Sequence, residues 1–183
     1  FDANGEYASL DNTNQIINSE VGTVVIKFKG LGIINDDVNR VLWGCRGVAT
    51  NEGDMYLVKS SNNFMYFQFR DNAATHYAYI AYSNFPNWET GTMITVQWDR
   101  NNNIYAGKKV AFNIDGEYIT ANYVLCDSWN SFTVKNNIAI GNDYDNTTHY
   151  CNGIISQLDI YNRVLNETEL KNIYKKRYAK FIR

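Results

Sequence analysis

The chain has 183 residues, of which 45% are hydrophobic and 20% charged, and a formal net charge of −2. That composition fits one globular domain spanning 1–183 and large enough to bury its own core. It gives no electrostatic reason to expect nucleic acid as a partner. No apolar run approaches the ~18 residues of a membrane-spanning helix, so membrane insertion is not expected.

Short apolar–polar alternation dominates the chain, broken by Asn, Asp and Gly clusters, as in many short antiparallel strands. The first clear strand is "GTVVIKFKG", which puts Val24, Ile26 and Phe28 on one face. "RVLWGC" follows, with Cys45 expected as a small buried hydrophobe. In "MITVQWD" the shared face belongs to Ile94, Val96 and Trp98, and in "KKVAFNIDGEYI" to Val110, Phe112 and Ile114. Asp115 and Gly116 supply the positive φ angles of a tight hairpin turn. "NNIAIGN" and "GIISQLDIYN" close the pattern, with Ile154, Leu158 and Ile160 expected to be buried. Strands at this spacing predict an all-β, two-sheet antiparallel sandwich. Over 166–182 a short C-terminal helix is predicted. Asn166 and Glu169 form a capping-box pair, and Leu170, Ile173, Tyr174, Tyr178 and Phe181 follow at helical spacing. Its apolar face should dock on the sandwich, or on a neighbouring domain or second subunit. The chain starts abruptly within strand-like sequence, so we expect it to be part of a longer protein.

Three cysteines, Cys45, Cys126 and Cys151, permit at most one internal disulfide, and Cys126 with Cys151 is the pair that can meet across a sandwich. The two histidines, His76 and His149, lie near no catalytic motif and are expected in loops or on the surface.

The segment "FMYFQFRDNAATHYAYIAY" carries the most chemistry. Alternation sends Met65, Phe67 and Phe69 to one face and Tyr66, Gln68 and Arg70 to the other. A four-residue turn at "DNAA" then sets Arg70 opposite Thr75, Gln68 opposite Tyr77 and Tyr66 opposite Tyr79. Two readings fit the second face. It is either a solvated surface of strand-favouring tyrosines, or one that stacks sugar rings and hydrogen-bonds their hydroxyls.

Several strings resemble the concanavalin A-like lectin/laminin-G superfamily: the opening "FDANGEYASL", the hairpin "VAFNIDGEYI", and "IAIGNDYDNTTHYCNGIISQLDIYNRVLNETEL" near the end. The order of elements agrees over almost the whole chain, although "ETGTMITVQWD" lacks the Trp-His pair that many members carry before this strand. The resemblance implies a jelly-roll sandwich that binds glycan or glycoprotein on its concave sheet face or rim loops. Such a domain would belong to a larger secreted, cell-surface or virion protein. The same superfamily also contains laminin-G-like protein-interaction and spacer domains. Its glucanases need Glu-x-Asp-x-x-Glu. The nearest string here, Gln157 to Asn162, has amides at both glutamate positions, so no glycosidase activity is expected.

A further similarity, to the family-40 sialic-acid-binding modules, implies that Gln68-x-Arg70 stands where that family has Glu-x-Arg. Tyr150 would then match a ligand-contacting tyrosine. That family's second arginine is absent, and Asp143 and Asp145 occupy the same loop. Oxygen-rich rim loops of this superfamily also bind Ca²⁺. Asp143 and Asp145, with Glu52 and Asp54 if they lie nearby, are the candidate ligands. The ligand-binding candidates are therefore Tyr66, Gln68, Arg70, Tyr77, Tyr79 and Tyr150.

Overall fold

The structure is a computed structural model, and it describes residues 8–30, 37–45, 53–85, 88–141 and 151–178. In chain order the strands begin β1 (Ala8–Asp11), β2 (Val21–Gly30), β3 (Arg40–Cys45), β4 (Met55–Lys59), β5 (Phe64–Arg70) and β6 (Thr75–Ala81). They continue with β7 (Thr92–Asp99), β8 (Val110–Ile114), β9 (Glu117–Ile119), β10 (Asn122–Val124), β11 (Asn137–Ile140) and β12 (Gly153–Tyr161). One helix, α1 (Glu167–Tyr178), ends the described chain. The expected last turn, 179–182, lies outside the described residues.

The strands form two antiparallel sheets. One has seven strands in the order β1-β11-β3-β4-β5-β6-β10, the other five in the order β12-β2-β7-β8-β9. This is the expected sandwich. Its core is built by alternation: Trp43, Leu57, Phe67 and Ala78 lie in register across the larger sheet, and all are buried. Val24, Val96 and Phe112 face them from the smaller sheet. Phe67 meets Trp98 across the gap, ring centroids 5.4 Å apart. The Trp98 indole needs Gly22 beside it, because a β-carbon there would stand 2.4 Å from the ring.

Two bulges alter the simple period. In β3 the register shifts between Val41 and Trp43, and Leu42 and Trp43 are both buried. In β12 it shifts between Ile155 and Gln157. Leu158 and Ile160 pair with Ile26 and Val24 and lean on the core, as expected. Beyond the bulge the phase inverts: Ile155 pairs with Phe28, and Ile154 is turned outward and 48% exposed. Burial of Ile154 is therefore corrected, because one extra residue exchanges the two faces of a strand.

The helix docks on this molecule's own smaller sheet. Leu170, with Leu165, packs on Val25 and Met93, and Ile173 and Tyr174 extend the contact. Its start is the expected capping box: the Glu169 N–H donates to Asn166 Oδ1 at 3.0 Å, and the Asn166 N–H to Glu169 Oε2 at 2.9 Å. The sheet face beneath also carries a buried polar network. Gln97 Nε2 donates to the Leu165 carbonyl at 2.7 Å, Tyr118 donates to Gln97 Oε1 at 2.9 Å, and Thr23 Oγ1 donates to the Arg163 carbonyl at 2.8 Å. These bonds pin the segment that leads into α1. Together with α1, that segment covers much of the outer face of the smaller sheet.

The sequence left open whether Cys126 and Cys151 pair; in the structure all three cysteines are free and buried.

Candidate functional site

The outer face of the larger sheet is built by β4, β5, β6 and β10. The hairpin register is the expected one: Tyr66 pairs with Tyr79, Gln68 with Tyr77, and Arg70 with Thr75. Since paired residues project to the same side, these six side chains share one surface, opposite the buried Met65, Phe67 and Phe69. All six are half-buried. One row across the sheet reads Tyr56, Gln68, Tyr77, Val124, and the next reads Val58, Tyr66, Tyr79, Asn122.

The tyrosines pack on one another. Tyr66 and Tyr79 are stacked at 5.0 Å, Tyr77 meets Tyr66 edge-on at 5.7 Å, and Phe64 meets Tyr79 edge-on at 5.3 Å. Asn62 Nδ2 donates to the Tyr66 hydroxyl at 2.8 Å and fixes its ring at one end. Mutual packing lowers the entropy lost when such side chains meet a ligand. Beside this cluster stand an amide and a guanidinium. Among the described residues, neither the Gln68 nor the Arg70 side chain has a hydrogen bond or an ion pair. The face therefore offers flat apolar rings next to uncommitted polar groups.

Tyr56 and Phe64 also belong to this face and were not among the sequence candidates. The signal for Tyr56 is the alternation in "MYLVK", which sets Met55 and Leu57 inward and Tyr56 outward. Tyr150, Asp143 and Asp145 lie outside the described residues, as do Glu52 and His149. Asp54 is buried. Among the described residues, no group of three or more His, Cys, Asp or Glu side chains is placed to hold a metal ion. At the glucanase-like string, Gln157 Nε2 donates to both Asp159 oxygens at 2.8 Å, so that carboxylate is engaged by an amide.

His76, expected on the surface, is instead on the core face of β6 and only 4% exposed. The hairpin register required this, since His76 pairs with Phe69 and alternates with Ala78 and Ile80. Its ring stacks on Phe69 at 5.1 Å, its Nδ1 is 2.6 Å from the Leu125 carbonyl, and its Nε2 lies 3.2 Å from Asp71 Oδ2. That last contact is within ion-pair distance. Asp71 accepts backbone N–H bonds from Ala73, Ala74 and Asn130. Burial alone would raise the carboxyl pKa, but the three N–H donors and His76 outweigh it and hold it down at about 2. These groups border a cavity of about 460 Å³ between the β5–β6 turn and residues 125–130.

A second cavity, about 540 Å³, lies between the start of α1 and the stacked pair Tyr105 and Tyr118, whose rings are 4.5 Å apart. Its carboxylates are committed: Lys171 reaches Glu167 at 2.6 Å and Glu117 at 3.6 Å, and Asp99 accepts the Asn101 and Asn102 N–H groups.

In sequence, residues 40–171 match the model of the concanavalin A-like lectin/glucanases superfamily. No curated protein matches the chain. Among solved structures, it is similar to the receptor-binding domain of the botulinum neurotoxin mosaic serotype C/D, with a TM-score of 0.72 and 14% identity. That match covers 96% of this chain and 41% of the toxin domain, so the chain spans about two fifths of that relative. It is also similar to the carbohydrate-binding module CBM40 of the Ruminococcus gnavus IT-sialidase bound to α2,3-sialyllactose, at TM-score 0.68 and 18% identity, covering 93% of this chain and 94% of that one. The receptor-binding domain of botulinum neurotoxin type G follows at TM-score 0.61 and 17% identity, covering 93% and 42%.

Proposed function

The chain belongs to the concanavalin A-like lectin/glucanases superfamily, and from that membership we propose that it is a non-catalytic glycan-binding domain of a larger secreted, cell-surface or virion protein. The ligand lies on the outer face of the larger sheet. Tyr66, Tyr77 and Tyr79 form the platform on which sugar C–H faces stack, and Gln68 bonds ring hydroxyls. Arg70 meets an acidic substituent, a carboxylate in particular, since a guanidinium fork matches its two oxygens. The observation that carries this reading is the uncommitted Arg70 guanidinium beside a self-packed tyrosine cluster on an open sheet face. The solved CBM40 module bound to sialyllactose supports an acidic glycan as the ligand class. Absence of the glucanase carboxylates supports a binding role without hydrolysis.

The test is calorimetric titration with 3′-sialyllactose and with lactose, repeated in EDTA, on the wild type and Arg70→Ala. A hydrogen-bonded charge contributes about 1.5–3 kcal/mol, so Arg70→Ala should weaken sialyllactose binding by about 10-fold or more and leave lactose binding unchanged. Equal binding of both sugars by the wild type would remove the carboxylate. Failure of every glycan on an array, with and without EDTA, would favour the protein-interaction role that other members of the superfamily perform.

A further inference from the structure

The tyrosine face of the larger sheet has a shape and a charge pattern that narrow its ligand beyond glycans as a class. We propose that it takes an oligosaccharide lying along the β5–β6 hairpin, with one acidic sugar at Arg70 and neutral sugars running from there towards Asn62, Phe64 and Asn122. This rests on the sheet-face reading and sets the length and charge of its ligand.

Length comes from the strand. β5 runs seven residues from Phe64 to Arg70, so its ends are about 20 Å apart at the usual strand rise of ~3.3 Å per residue. A small-molecule site is concave and encloses most of its ligand. A sheet face covers one side only. A single sugar would bury little surface on it, whereas a chain that touches several positions in turn adds one contact to the next.

Groups able to meet such a chain occur along the whole strip. At one end stand the Arg70 guanidinium and the Thr75 hydroxyl. The Gln68 amide and the Tyr77 hydroxyl follow, then the hydroxyls of Tyr66 and Tyr79 with the Asn122 amide. At the far end Asn62 is exposed and gives its Nδ2 to the Tyr66 hydroxyl, which leaves its Oδ1 as an acceptor. Among the described residues the side chains of Thr75, Tyr77, Tyr79 and Asn122 make no hydrogen bond, and each of these residues is half-buried or exposed.

Charge sets the composition. Of the outward side chains of β5, β6 and β10, Arg70 alone is charged. One guanidinium matches one carboxylate. A second acid further along the strip would lose water against tyrosine rings with no counter-charge beside it, which is costly. A polyanion is therefore disfavoured.

The experiment is an NMR titration with N-acetylneuraminic acid, 3′-sialyllactose and a linear pentasaccharide carrying one sialic acid, with an oligomer of sialic acid as the polyanion. The first three share one acidic sugar and differ in the number of neutral ones. Each net hydrogen bond multiplies affinity by about 2–10, so the pentasaccharide should bind about 10-fold tighter than the monosaccharide, or more. Asn122→Ala, at an exposed position without bonds, should weaken the pentasaccharide about 3-fold or more and leave N-acetylneuraminic acid unchanged. Arg70→Ala should weaken all three. Equal affinity for the three, or a pentasaccharide indifferent to Asn122→Ala, would overturn the extended site; if Arg70→Ala still weakened all three, the sheet-face reading would stand. Silence of every acidic ligand, or binding that ignores Arg70→Ala, would remove the sheet-face reading and this inference with it. Tighter binding of the sialic acid oligomer than of the pentasaccharide would overturn the limit to one acid.

Discussion

Docking of α1 on the smaller sheet is tested by Leu170→Ala. Leu170 is fully buried and is in contact with Leu165, Val25 and Met93. Removing three carbons from such a site loses their transfer free energy and leaves a cavity, together about 2–5 kcal/mol. The upper half of that range applies here. Val25 and Met93 sit on central strands that cannot move in to fill the gap, each being paired on both sides. In a domain of this size each kcal/mol moves the melting temperature by about 2–4 °C. Urea denaturation should show a lower midpoint with an unchanged slope. Glycan binding should persist, because α1 lies on the five-stranded sheet and the tyrosine face on the other. Ile154→Ala, at an outward position on β12, is the control and should stay within about 0.5 kcal/mol. A loss below about 1 kcal/mol for Leu170→Ala would show that the helix does not depend on the sheet. A loss of binding without destabilisation would show that the two faces are coupled.

Acid should act through Asp71. Its folded pKa, about 2, is below the ordinary 3.8, so the stability it contributes is fully present above the ordinary value and is lost as pH falls through the folded one. Stability measured between pH 5 and 2 should therefore fall more steeply in the wild type than in Asp71→Asn; parallel curves would remove the carboxylate from this role. The cysteines should resist labelling in the native state. Burial raises all three thiols, Cys126 and Cys151 to about 12, so little thiolate exists at neutral pH. A thiol reagent should react only as the protein unfolds, and prompt modification of any of the three would contradict the packing.

How much was legible in the sequence depended on whether the determining interaction was local. The pairing of Arg70 with Thr75 and of Tyr66 with Tyr79 followed from alternation and the length of one turn, both written in neighbouring residues. The position of His76 was written there too, since Phe69 inward obliges its partner to point inward. Reading histidine by its polarity concealed that. The bulge in β12 was not legible, because "GIISQL" alternates acceptably in either phase. Only pairing with Phe28 and Ile26 shows where the extra residue falls.

By itself the sequence determined the fold class, the hairpin and its register, and the capped start of the helix, since each arises from residues a few positions apart and from the period of a strand or a helical turn. The tertiary structure decided what those elements meet. It set α1 on the smaller sheet and kept Cys126 and Cys151 unbonded. It also brought Leu125 and Asn130, separated from their partners by 49 and 59 positions, against His76 and Asp71. Contacts over such distances depend on how two sheets close around a shared core, and no local period encodes that.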